Sequence, residues 1–241
     1  AARARLRVLL LQVRDQPRAL HHEQLCFLER LAIPREHLAC VNVAEEPVPT
    51  WREAAAADLV ILGGAGAHSA YLDYPFTEAL GDLVRRLVET GRPFFGSCFG
   101  HQFLGRVLGG SVISDHANAE VGTFDVELHR AGRRDELFRH FPPRFPVHLG
   151  HHDRIAELPA GLLSLAASER CDHQIVRVAG KPIYGTQFHC EMSSQHMLER
   201  LMMYQEDYLP GEDPLTELGR RLRPTVQVEG LLGRFVDELL A

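Results

Sequence analysis

Cys98 sits in the run "GRPFFGSCFGHQ" (residues 91–102), with Gly96 two residues before it and Gly100 two residues after. G-x-C-x-G has the spacing of a nucleophile elbow, with Cys in place of Ser. A buried cysteine in an ordinary strand-to-helix turn is the competing reading of these five residues alone. On such a turn the following helix N-terminus favours a thiolate, and the Phe99 N–H points at a developing oxyanion. A thiol nucleophile needs an imidazole, and the imidazole needs an orienting group. The run "GTQFHCE" (185–191) offers both: His189 and Glu191 are two residues apart, so extended backbone puts them on one face and Cys190 on the other. A polar strand end facing solvent is the alternative there. The run "ILGGAGAHS" (61–69) places Gly63, Gly64 and Gly66 where backbone N–H groups can come close to a substrate, or where a tight turn needs them. Three such features at three strand ends coincide by chance far less readily than any one of them.

The elements that must position these residues alternate through the first half. Residues 6–13, 37–43, 58–62 and 93–96 read as strands; residues 20–31, 51–57, 76–90 and 99–108 read as helices, with Gly91 and Gly109-Gly110 as stops. Alternation of this kind predicts an α/β fold: an open, mostly parallel, twisted sheet with helices on both faces. The Cys98 turn then falls at the C-terminal end of its strand, where open sheets bind ligands. The second half predicts a small antiparallel region: strands over 121–128, 145–149, 162–167, 175–178 and 183–188, with a short helix between the first two and a hairpin turn at Gly180-Lys181. Residues 197–209 read as a helix, 210–214 as a loop, and 226–240 as a helix whose stripe (Leu231, Phe235, Leu239) packs back on the sheet. One domain over residues 1–241 is expected, with 190–241 as a C-terminal helical part.

Composition bounds the function. The chain has 241 residues, 45% hydrophobic and 24% charged, which is ordinary for a globular protein able to bury roughly 70% of its unfolded surface. A net charge of −6 argues against a general nucleic-acid binder. No apolar run approaches a membrane span, and the start "AARARLRVLLLQV" reads as a first strand rather than a signal peptide. Five scattered cysteines without a C-x-x-C pair point to a reducing, cytoplasmic compartment and away from a zinc ribbon.

Taken together, "GGAG", "GSCFGHQ" followed by "LGG", and "YGTQFHCE" resemble the class I (triad-type) glutamine amidotransferases in order and spacing, over about residues 6–191. The resemblance is to stand-alone members similar to the glutaminase domain of GMP synthases. It implies that Cys98 attacks the side-chain amide of L-glutamine, His189 shuttles protons and Glu191 orients it. It implies an oxyanion hole from the N–H groups of Gly64 and Phe99, and a substrate-holding role for Gln102. No cofactor is implied. Ammonia passes to an acceptor in such systems, so a synthetase partner protein is implied. One departure is Cys190, where the family usually has proline; its loss frees φ and adds an N–H.

The run "VHLGHHD" gathers His148, His151, His152 and Asp153, but the spacing is not a zinc pattern, and no metal is expected. The resemblance places His151 and Asp153 at the pocket. His21-His22 is expected to face solvent and Met202-Met203 to pack in the core. Three functions stay open: a glutamine-hydrolysing amidotransferase, a hydrolase of γ-glutamyl peptides or related C–N bonds, and a catalytically idle binding protein on the same fold.

Overall fold

The computed structural model describes residues 3–204 and 214–240. Strand β1 (Val8–Val13) is buried along its whole length. It lies parallel to β2 (Leu38–Asn42) on one side and β3 (Leu59–Ala65) on the other, with Leu10 opposite both Cys40 and Ile61. A strand covered on both faces needs a continuous apolar run, and "VLLLQV" supplies it. Next to β3 come β4 (Phe94–Ser97) and β11 (Ile183–Thr186), both parallel to it. The sheet continues antiparallel through β10 (Ile175–Val178), β9 (Leu162–Ala167), β6 (Glu120–Leu128) and β7 (Arg144–His151). The α/β class with a mostly parallel core and an antiparallel second half is therefore as the sequence predicts.

Two apolar layers hold this sheet. Successive side chains on a strand face opposite ways, so Phe95 packs with Leu10, Phe27, Tyr184 and Phe235, while Phe94 packs with Leu11, Leu62, Phe103 and Ile183 on the other side. Helix α1 (Pro17–Leu31) covers the first face. The second face is covered by α3 (Thr77–Thr90) and α4 (Phe99–Val107). Between α1 and α3 in sequence, α2 (Trp51–Ala56) is fixed at its start by a capping box between Thr50 and Glu53. Gly91 ends α3 in the left-handed conformation, φ 67°.

Several boundaries differ from the sequence reading. Strand β3 runs on through Gly63 and Gly64 instead of ending at Leu62, because pairing with β1 skips the two glycines at an irregularity and resumes between Ala65 and Val13. Strand β11 stops at Thr186, whose hydroxyl donates to the Phe188 carbonyl and turns the chain before His189. The stretch expected as a short helix after β6 holds only one 3₁₀ turn, Gly132–Arg134, where the glycine lies tight against the Leu165 carbonyl. Two short strands escaped notice: β5 (Ser111–Ser114) and β8 (Asp153–Glu157) form a separate antiparallel pair. Helix α5 spans Ser194–Met203, α6 Pro214–Arg221, α7 Val226–Glu229 and α8 Leu231–Leu239. The expected last helix is thus broken at Gly230, yet Phe235 still meets Phe95 and Tyr184 edge-on. The expected loop over 210–214 falls almost wholly outside the described residues. Among the described residues no helix is long and apolar enough to cross a membrane.

Candidate active site

Cys98 lies between β4 and α4 with φ 50° and ψ −96°. Positive φ in a non-glycine residue costs on the order of 1–3 kcal/mol and persists only where the surroundings enforce it. Here the Cys98 N–H donates to the Thr186 carbonyl at 2.8 Å, and the Cys98 carbonyl accepts the first-turn bond from Gln102 N–H at 3.1 Å. The flanking glycines serve close approach of backbone, not left-handed φ. A Cβ on Gly96 would stand 2.5 Å from the Gly100 carbonyl carbon, and a Cβ on Gly100 would overlap the Leu62 carbonyl oxygen in β3. Helix, strand and neighbouring strand therefore meet without side chains between them, and the thiol is pushed out at the helix mouth. We expect Gly100→Ala to cost about 1–3 kcal/mol or more, since the obstacle is backbone in a central strand. Chemical denaturation measures this, and a wild-type midpoint would contradict the packing argument.

His189 follows β11, the strand beside β4. Its N–H donates to the His148 carbonyl at 2.9 Å, which anchors the loop to β7. Its Nδ1 lies 2.7 Å from Glu191 Oε1, and the Ser97 hydroxyl donates to Glu191 Oε2 at 3.0 Å. Glu191 is fully buried. Burial opposes the charged imidazole, but Glu191 and the Cys98 sulfur beside it outweigh burial and lift His189 to about 9. Burial likewise opposes the carboxylate, and His189 holds Glu191 down at about 2. The pair thus rests as imidazolium and carboxylate. Phe188 and Cys190 point the other way, into the core that holds Phe95 and Phe235. Burial pushes the Cys190 thiol well above its ordinary value, so it behaves as a packing residue.

A cavity of about 290 Å³ opens over Cys98, lined among others by Ala65, Gly66, Phe99, Gln102, His151 and Asp153. Phe99 begins α4 and lines this cavity. Gly64 departs from its expected role: its N–H donates to Glu23 Oε1 at 3.1 Å, so it is committed elsewhere in this conformation. A Cβ at Gly64 would lie 3.1 Å from His189 Cε1, so the glycine's visible use is to let the imidazole approach. Gln102 lines the cavity, but its Nε2 donates to the Asp153 carbonyl at 2.7 Å and to Gln187 Oε1 at 3.1 Å.

Within the histidine-rich run, His151, His152 and Asp153 line the cavity together and His148 lies apart. His148 is buried with Thr123 and Ser194 as partners. His151 faces the Glu120 carboxylate at 3.0 Å, and Asp153 is held by His152 and the Ser69 hydroxyl. His22 does not face solvent: it is buried against Arg200, and burial with that guanidinium pushes it down to about 4. Met202 lies at the edge of the cluster built on Cys26, Met197 and Leu201. Sequence reasoning passed over Ser97, Gln187 and the buried Arg14–Glu23 pair. The first two adjoin or closely precede residues already singled out, which was the only available signal.

Comparison with known proteins bears on the family and the fold. The family described as glutamine amidotransferase class-I matches residues 35–204. The chain is 34% identical over 145 residues to a glutamine-hydrolyzing GMP synthase subunit from Methanosarcina mazei, covering 60% of this chain and 69% of that one. It is 30% identical over 149 residues to a probable GMP synthase of Leptospira interrogans, but spans only 23% of that longer protein. A solved glutamine amidotransferase from Thermotoga maritima superposes with a TM-score of 0.77 at 25% identity, covering 98% of each chain. A second, from Methylobacillus flagellatus, gives 0.73 at 20% identity, covering 97% and 95%, and supports the fold alone. The family match spans most of the sequence and takes in both the cysteine turn and the His189–Glu191 segment, so this chain belongs to the class I glutamine amidotransferases.

Proposed function

We propose that the chain hydrolyses the side-chain amide of glutamine through a Cys98 thioester and delivers ammonia to an acceptor bound by a synthetase partner. The observation that carries this reading is the alignment at the cavity: a strained cysteine turn, with a His189 imidazolium beside the sulfur and the Glu191 carboxylate 2.7 Å behind it. In the first half-reaction the Cys98 thiolate attacks the amide carbon. Charge moves to the carbonyl oxygen, towards the Phe99 N–H at the helix start. His189 gives its proton to the departing nitrogen, the C–N bond breaks, and ammonia leaves. In the second, neutral His189 takes a proton from water, the hydroxide adds to the thioester, and the C–S bond breaks. Glutamate departs and the thiolate–imidazolium pair is restored. Glu191 holds Nδ1 throughout, so Nε2 is the nitrogen that moves protons.

That the Methanosarcina relative is one subunit of its synthase supports a separate partner chain that receives the ammonia. The test is ammonia release from glutamine by the purified chain, with and without a glutamine-like electrophile whose adduct is mapped by mass. Release blocked by an adduct on Cys98 is the expected result. Turnover of γ-glutamyl peptides but not of glutamine would reassign the substrate, and absence of both turnover and adduct would overturn the enzymatic reading.

A further inference from the structure

One side-chain amide outside the cysteine, histidine and glutamate, that of Gln187, lies against the nucleophile, and the Gln102 amide lies behind it. Gln187 is fully buried, and its Nε2 donates to Cys98 Sγ at 3.6 Å. Its backbone N–H is tied to the Gln174 carbonyl at 2.9 Å, so the residue is held in place independently of the sulfur. The direction of its amide is settled by a chain of partners. The Asp153 carbonyl can only accept, so Gln102 presents its NH₂ end there, at 2.7 Å. The same NH₂ donates to Gln187 Oε1 at 3.1 Å. With its oxygen held by Gln102, Gln187 has only its NH₂ end left for the sulfur.

We infer that Gln187 is a catalytic residue that donates an N–H to the Cys98 sulfur and stabilises the thiolate as it leaves the thioester, with Gln102 as the positioning residue that aims it. A neutral thiol or thioester sulfur is a weak acceptor, whereas a thiolate makes a charge-assisted bond. The donor therefore favours the two states in which sulfur carries charge: the resting nucleophile and the collapse of the second tetrahedral intermediate. In that collapse the oxygen of water has already bonded to the acyl carbon and its proton sits on His189. The C–S bond breaks and its electron pair returns to Sγ, where Gln187 waits. The same bond makes the resting thiolate a less eager nucleophile, so the gain falls on release of the acyl group. The charged group facing the sulfur is His189, backed by Glu191; Gln187 adds a neutral donor from a separate direction. The inference rests on the thioester reading of the site, but the thiolate itself can be measured without any turnover.

The experiment compares wild type, Gln187→Met and Gln102→Met, each checked for folding by thermal melting. Thiolate content is read from ultraviolet absorbance at neutral pH and from Cys98 alkylation by iodoacetamide. Glutamine turnover is followed at steady state and in rapid quench. Gln187→Met is expected to hold less thiolate, to accumulate γ-glutamyl enzyme, and to lower kcat about ten- to hundredfold without raising KM, the span of one charge-assisted hydrogen bond. Gln102→Met is expected to move the same quantities in the same direction by less. Unchanged thiolate in Gln187→Met overturns the inference, as does a raised KM with unchanged kcat, which would place Gln187 in substrate binding. Should Gln187→Met fail to fold, thiolate content in Gln102→Met decides by the same criterion. If the wild type releases no ammonia from glutamine, the glutamine reading fails and the thiolate comparison still decides the role of Gln187.

Discussion

Cys98→Ala and His189→Ala are each expected to lower kcat for glutamine by about 10⁶, and the double variant by no more, because nucleophile and proton carrier act as one unit. Removing the thiol leaves His189 nothing to serve, and removing the imidazole leaves the leaving nitrogen unprotonated. Glu191→Gln is expected to cost less, about 10⁴, since the imidazole survives but loses its anionic partner on Nδ1. Steady-state ammonia release on the four variants measures this, and additive losses in the double variant would break the assignment of roles. The same pair marks stability against pH. His189 titrates at about 9 in the folded chain against an ordinary 6.5, so its contribution is full below 6.5 and is lost as pH rises through 9. Glu191 titrates at about 2 against 4.5, so its contribution is present above 4.5 and is lost as pH falls towards 2. Denaturation from pH 6 to pH 10 should therefore show a decline in wild type that His189→Ala lacks.

What the sequence revealed follows from which constraints are local. The G-x-C-x-G spacing is a local demand of crossing backbones, and the apolar runs of β1, β3 and β4 are local demands of a sheet covered on both faces, so both were readable. The α1 face was not. Apolar spacing there favours Leu25, yet Leu25 is exposed while His22, Glu23 and Cys26 are buried. That inward face meets Arg14 from just past the end of β1 and Arg200 from the far end of the chain, and no periodicity in α1 reports a guanidinium outside the helix. The commitment of the Gly64 N–H was hidden for the same reason, because its acceptor is 41 residues away on α1. Strands β5 and β8 were missed because each has only four or five residues and pairs only with the other. Ser97 and Gln187 were in view but silent, since a serine in a strand and a glutamine in a turn have many uses until their partners are known.

Arg14→Ala is expected to destabilise the fold by about 3–5 kcal/mol at pH 7, as removing one partner of a fully buried ion pair does. Arg14 Nη2 lies 2.6 Å from Glu23 Oε1, and both side chains are almost wholly shielded from solvent. Burial alone would drive a proton onto Glu23, but Arg14, and with it Arg200 and Gln12, holds the carboxylate below its usual range. In wild type the Glu23 contribution is therefore present above the unfolded carboxylate value and lost as pH falls through the folded one. Without Arg14 the balance reverses: burial dominates, the folded value rises above the unfolded one, and the deficit grows with pH. Denaturation of Arg14→Ala should thus show a smaller loss at pH 5 than at pH 8. Arg14→Met combined with Glu23→Gln should recover most of the stability, because neither charge is then buried and Gly64 keeps an acceptor. A loss below about 1 kcal/mol in the single variant, the range of solvated pairs, would mean that water reaches Glu23. The stakes reach the site, since the one Glu23 oxygen that binds Arg14 also binds the Gly64 N–H. A loosened Glu23 frees the strand end against which His189 is packed, so kcat should fall in Arg14→Ala even under conditions where the chain remains folded.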